Sequence, residues 1–235
     1  MDAVVSDDEA RLVAQQSMGS EDMHAAETRW VRELMLLSKE KEAAGLIASA
    51  GAVGGYTVLT TPWSDRASSP TNDITNALLQ VRNQSGLAAN CMAVTYPVAV
   101  ALMRHPEIQA KRAQTERQIL TTSALAELLQ QVFGLKRVVV VNSQYVPTRA
   151  EGSPVVLADV WGKTALFWYE GSEPGFFQPT WAVEAVDTFY YDGNEMAVMD
   201  IRDDDAEATY HRVKEDYAFV VLNKDLSFRL DNVIP

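Results

Sequence analysis

Gly162-Lys163-Thr164 has the ending of a phosphate-binding loop, in which backbone N–H groups cradle phosphate and the lysine reaches it. The loop's first glycine would fall at position 157, which is Leu157, and the following TALFWYE reads as a strand instead of the required helix. A basic residue in a tight strand-to-strand turn fits better. AGAVGG (50–55) lacks the GxGxxG order of a dinucleotide site and follows a helical pattern instead of a strand. The histidines are His24, His105 and His211, and none stands in an HxxxH or HExxH arrangement with carboxylates at metal-ligand spacing. His105-Pro106 is expected to end a helix, and His211 to lie on a strand face. Cys91, inside the apolar CMAVT, has no basic or histidine neighbour in sequence, so a buried, inert thiol is expected. DIRDDDAE (200–207) lacks the order of a calcium loop and reads as a solvated turn between strands, with weak cation binding as the lesser alternative. Asn83-Gln84-Ser85 spells a glycosylation acceptor, but no export feature accompanies it. No GxSxG elbow is present. The expectation is therefore no catalytic, cofactor-binding or metal-binding residue, and a protein that is not an enzyme.

Composition narrows the classes further. The 235 residues suit one large domain or two small ones, and 47% hydrophobic with 22% charged residues is ordinary globular composition. Twenty Lys and Arg against 32 Asp and Glu leave a net charge of −12, which disfavours a sequence-independent nucleic-acid binder. A wall beside a polyanion, not adhering to it, stays compatible with that charge. The lone cysteine excludes an internal disulfide framework. No apolar run reaches the ~18 residues of a membrane span. MDAVVSDDEAR has neither a basic nor an apolar leader region, so synthesis in a reducing cytoplasm is expected.

The elements that could position any site follow from periodicity and punctuation. Residues 7–48 predict one long helix or two end to end, with Ser6 and Glu9 as a capping box and Gly19-Ser20 as a kink. Its apolar spacing runs Met23, Ala26, Trp30, Leu34, Leu37, Ala44 and Ile47. Ser69-Pro70 opens a helix that Gly86 closes; CMAVT (91–95) is a buried strand, and Thr95 and Pro97 open a short helix up to His105-Pro106. A helix over 122–132 stops at Gly134, and RVVVVN (137–142) is a strand. Further strands are expected at 155–161, 164–169, 180–191, 195–201 and 210–222, with Asp192-Gly193 as a hairpin turn.

Several local phrases, in order, resemble the major capsid proteins of tailed bacteriophages, the Hong Kong 97-like fold. They are EAAGLIASAG (42–51), TPWSD (61–65), SPTNDITNALLQVRNQSG (69–86), ANCMAVTYPVAVALMRHPEI (89–108), LAELLQQVFGLKRVVVVNSQYV (125–146) and LADVWGKTALFWY (157–169). The resemblance implies an α+β chain with a long spine helix, an α/β axial domain and a long antiparallel β-ribbon. Residues 1–55 would carry the spine helix of the peripheral domain and 56–175 the axial domain. The ribbon of the peripheral domain would occupy 176–222, and 223–235 would return to the axial domain. Trp30, Leu34 and Leu37 would pack the buried spine against the ribbon and support assembly.

The implied function is structural: a major capsid protein that self-assembles through pentamers and hexamers into an icosahedral shell around double-stranded DNA. Partners would be other copies and scaffold or decoration proteins. The DNA would be held without sequence-specific contacts, no membrane would be involved, and the location would be the virion. Family members usually carry an N-terminal arm and an extended loop before the spine helix. Neither is visible before residue 7, which predicts a trimmed chain or a native start further upstream. No lysine here maps onto the isopeptide crosslink of some relatives, so none is assigned. The alternatives are an encapsulin-type compartment shell, a small-molecule enzyme with scattered site residues, and a fibre or adaptor protein of the virion.

Overall fold

The computed structural model of the chain describes residues 2–6, 20–113, 121–147, 154, 156–171, 179–186 and 197–235. Among these, the chain forms two units, one of residues 1–42 and 184–220 and the other of residues 43–183 and 221–235.

The larger unit is built on a five-stranded sheet. Its strands are β2 (Tyr56–Val58), β3 (Cys91–Thr95), β4 (Arg137–Val141), β7 (Ala165–Trp168) and β12 (Ser227–Asp231), in spatial order β2-β12-β7-β3-β4. β12 runs parallel to β2 and antiparallel to β7, β7 antiparallel to β3, and β3 parallel to β4. A strand turns successive side chains to opposite faces, and this sheet is covered on both. Met92, Val94, Val138, Ala165, Phe167, Phe228 and Leu230 enter one core with Ile74, Val81, Leu102, Leu125 and Leu129 from the helices. Ala93 and Leu166 enter the other, with Ile47, Val53, Trp181 and Leu226. The helices are α2 (Pro70–Ser85), α3 (Tyr96–Arg104), α4 (Pro106–Ala113) and α5 (Thr122–Phe133).

The helix ends follow their punctuation. Gly86 (φ 77°) and Gly134 (φ 67°) take the left-handed conformation that closes α2 and α5, where a side chain would be strained. Gly54 is required for another reason. A Cβ there would lie 2.8 Å from the Asp225 Cα and the Lys224 carbonyl oxygen, so nothing larger than hydrogen lets the two segments approach.

In the smaller unit, β9 (Ala197–Asp203) and β10 (Ala208–Lys214) form an antiparallel hairpin, and β1 (Asp2–Ser6) adds to the other edge of β10. Residues 7–19 and the Asp192-Gly193 turn lie outside the described residues. The β1 strand was not anticipated; its last residue, Ser6, pairs with Ala208, and the helix start it was expected to cap lies outside the described residues. The strand expected over 210–222 is interrupted: β10 ends at Lys214, and β11 (Tyr217–Val221) pairs with β8 (Ala182–Val186). Two short strands, β5 (Gln144–Tyr145) and β6 (Ala158–Asp159), pair with each other in the larger unit.

The long helix α1 (Ser20–Ala48) corrects one expectation. Among its described side chains in the smaller unit, Val31, Met35 and Lys39 are buried, and Val31 and Met35 cluster with Val213 of β10. Trp30, expected to be buried, is 51% exposed, while Leu34 and Leu37 are half-buried. The spacing identified the helix and the burial of Ala44 and Ile47 correctly, but over residues 30–37 it placed the packing seam one residue away. Large aromatic residues dominate a sequence-based stripe, whereas the seam is set by where β10 lies.

Met35→Ala should therefore lower stability by about 2–4 kcal/mol through a cavity, and Trp30→Ala should change it by no more than about 1 kcal/mol. Urea unfolding of the two variants beside the parent chain checks this. A larger loss from Trp30→Ala than from Met35→Ala would reverse the assignment.

Candidate assembly elements

Two groups of residues fasten the segments whose phrases stood out in the sequence. The first joins TPWSD, the start of α2 and the His-Pro between α3 and α4. Trp63 is fully buried, and its Nε1–H donates to Asp73 Oδ2 at 2.9 Å. His105, also buried, ends α3. Its Nδ1 accepts the Glu107 N–H at 3.3 Å, so Nε2 carries the proton and donates to the Asp65 carbonyl at 3.2 Å, with Ser68 Oγ at 3.3 Å. Glu107 accepts from Ser69 Oγ at 2.7 Å and from the Thr71 N–H at 3.2 Å. Ser69, placed by sequence to cap α2 itself, gives its hydroxyl to Glu107, and that carboxylate caps the helix from across the fold. Partial burial pushes the Glu107 carboxyl up. The Ser69 and Thr71 hydrogen bonds outweigh burial and hold it below the usual value.

The second group holds α1 in the smaller unit. Lys39 is buried with its ammonium on Glu184 and Glu215, over the Tyr217 ring at 4.6 Å, and Tyr217 donates to Glu42 at 2.8 Å. Burial alone would lower the Lys39 pKa, but the two carboxylates outweigh it and raise it. A paired, charged lysine thus stands where an apolar residue would continue the Val31–Met35 seam.

The other residues weighed for chemistry make the following contacts. Cys91 is buried and donates to Glu170 at 3.2 Å; burial, with help from that carboxylate, pushes the thiol up to about 11. Arg137 and Lys136 also meet Glu170, at 2.7 and 3.7 Å. Gly162 has φ 67° in the turn before β7, and Lys163 reaches the Pro235 carbonyl. His211 lies on β10 with Nδ1 2.7 Å from Asp200 Oδ1. The His24 side chain lies outside the described residues. Asp203 accepts the N–H groups of Asp205 and Ala206, and the solvated turn expected over 200–207 is confined to 204–207, since 200–203 lie in β9. No cluster of potential metal ligands occurs among the described residues, and no helix among them is long and apolar enough to cross a membrane. Sequence reasoning missed Glu107 and Lys39, because charged residues within helical patterns read as solvent-facing and their partners are distant in sequence.

No protein-family profile and no curated protein matches the sequence. Solved structures do match in fold. A phage-related protein from Bordetella bronchiseptica RB50 superposes with a TM-score of 0.80 at 19% identity, over 99% of this chain and 74% of that one. The capsid of Myoviridae phage XM1 gives 0.55 at 9% identity, over 98% of this chain and 71% of that one. An encapsulin complex from Synechococcus elongatus PCC 7942 gives 0.54 at 17% identity, over 99% and 73%. The fold is thus the α+β, Hong Kong 97-like fold of phage capsid proteins, as the resemblance implied.

Glu107→Gln tests the cross-fold cap. Because the folded carboxyl titrates below its usual value, its contribution is fully present above the ordinary carboxylate pKa of about 4.3 and is lost as pH falls through the folded value. The variant should melt lower at neutral pH, by about 1–2 kcal/mol, and the difference should close in acid. Thermal melts of both proteins from pH 7 to pH 3 check this; a gap that persists in acid would sink the idea.

Proposed function

We propose that this chain is a shell-forming major capsid protein, copies of which assemble through pentamers and hexamers into an icosahedral virion shell around double-stranded DNA. The observation that carries the proposal is the superposition on the capsid of phage XM1 over 98% of the chain at a TM-score of 0.55, beside that on the Bordetella phage-related protein at 0.80. The net charge of −12 supports a wall that releases its DNA, and makes tight, sequence-specific DNA contacts unnecessary to the role. In this reading the chain performs no bond chemistry. Its functional groups are contact surfaces, and the half-exposed Trp30 with the neighbouring Leu34 and Leu37 supplies one of them to another copy. Scaffold or decoration proteins would act on the same shell.

The encapsulin superposition, 0.54 over 99% of the chain, favours a second reading in which the shell encloses a cargo protein. The contents separate the two. Light scattering after size exclusion, with negative-stain images, should find uniform closed shells containing nuclease-sensitive DNA. Shells filled with protein instead would select the compartment. A 26.0 kDa monomer at every concentration would overturn both. Trp30→Ala should keep the parent melting temperature yet assemble poorly, since a tryptophan anchor contributes roughly 2 kcal/mol or more to a contact.

A further inference from the structure

The larger unit carries an open cleft of about 460 Å³. Its apolar wall comes from Trp63, Pro97, Val100 and Ile234, its cationic side chains are Arg66 and Arg104, and His105 and the last residue, Pro235, also line it. Both arginines are exposed, and neither has an ion-pair partner among the described residues. With 32 acids for 20 bases in the chain, a second copy offers many carboxylates for them to meet. Two guanidinium groups over an apolar floor form a receptor for carboxylates, because the planar fork pairs with a carboxylate in two parallel hydrogen bonds.

The chain itself offers a matching ligand. The β9–β10 turn sets Asp203, Asp204, Asp205 and Glu207 within five residues. Asp203 is used up on the turn's own N–H groups and Asp204 on Arg202 at 3.2 Å. Asp205 and Glu207 are exposed, with no ion-pair partner among the described residues. We infer that the Arg66–Arg104 cleft is an interface between copies, and that its occupant is the Asp205–Glu207 turn of a second copy. The cleft has room for a few side chains, which suits a turn tip, whereas a nucleic-acid backbone would meet only two cations on a chain of net charge −12. This inference rests on the shell reading but names a contact which that reading does not require.

Reciprocal charge reversal tests it by analytical ultracentrifugation of the whole chain. The variants are Arg66→Glu with Arg104→Glu, Asp205→Lys with Glu207→Lys, and all four together. Melting temperature serves as a check on folding. Each pair alone should weaken self-association about a hundredfold, and the fourfold swap should recover most of it. Assembly of either pair as in the parent overturns this contact and leaves the shell reading standing. Weakening by the arginine pair alone, with release of bound nucleic acid, overturns it in favour of a polyanion. Small oligomers rescued by the swap would uphold the contact and remove the shell reading. A parent chain that never self-associates removes both.

Discussion

A guanidinium buried within a sheet stays there only if its charge is met, and the larger unit depends on one. Arg229 lies in the middle of β12, 7% exposed. Its Nε and Nη2 pair with the two carboxylate oxygens of Asp231 at 2.7 and 2.9 Å, and its Nη1 donates to the Ile47 carbonyl at 2.5 Å. Asp231 is available because residues two apart on a strand share a face. Ile47 is available because α1 ends at Ala48 and leaves its last carbonyls without helical partners. One side chain thereby joins the end of the long helix to the final strand. That strand is the link between β2 and β7, so the five-stranded sheet exists only once the last residues are in place.

The same logic recurs wherever a charge is buried. Glu107 is retained because it satisfies N–H and hydroxyl donors that the start of α2 would otherwise expose to the core. Lys39 is retained because Glu184 from β8 and Glu215 from the break between β10 and β11 meet it together. Each gives the chain a specific register in place of generic apolar contact. For a protein whose proposed work is repeated contact between copies, that register is what makes every copy present the same surface.

The local elements were legible where the sequence carried its own punctuation. The limits of α2, β3 and α5 followed from Ser69-Pro70, Gly86, CMAVT and Gly134, because caps and β-branched runs act within a few residues. Three features were not legible. β1 exists only through its pairing with β10, about 200 residues later. β12 hides behind the polar residues of SFRLD, whose arginine reads as solvent-facing until Asp231 and Ile47 surround it. The α1 seam near residues 30–37 was misplaced because Trp30 is the bulkiest apolar side chain on the stripe and dominates its reading, while the position of Val213 decides that Val31 is the one covered.

The sequence by itself determined the helices with glycine or proline ends, the buried strands, the solvated acidic turn and, through its ordered phrases, the capsid-like fold. These rest on interactions spanning a few residues, or on patterns that any packing must respect. Only the tertiary structure decided which face of α1 is buried, that a glutamate on one helix caps another, and that Arg66 and Arg104 share a cleft. Such facts depend on pairs of residues far apart in sequence. Local propensity carries no information about which of many equivalent charges or apolar residues will meet, because only chain closure into the sheet brings them together.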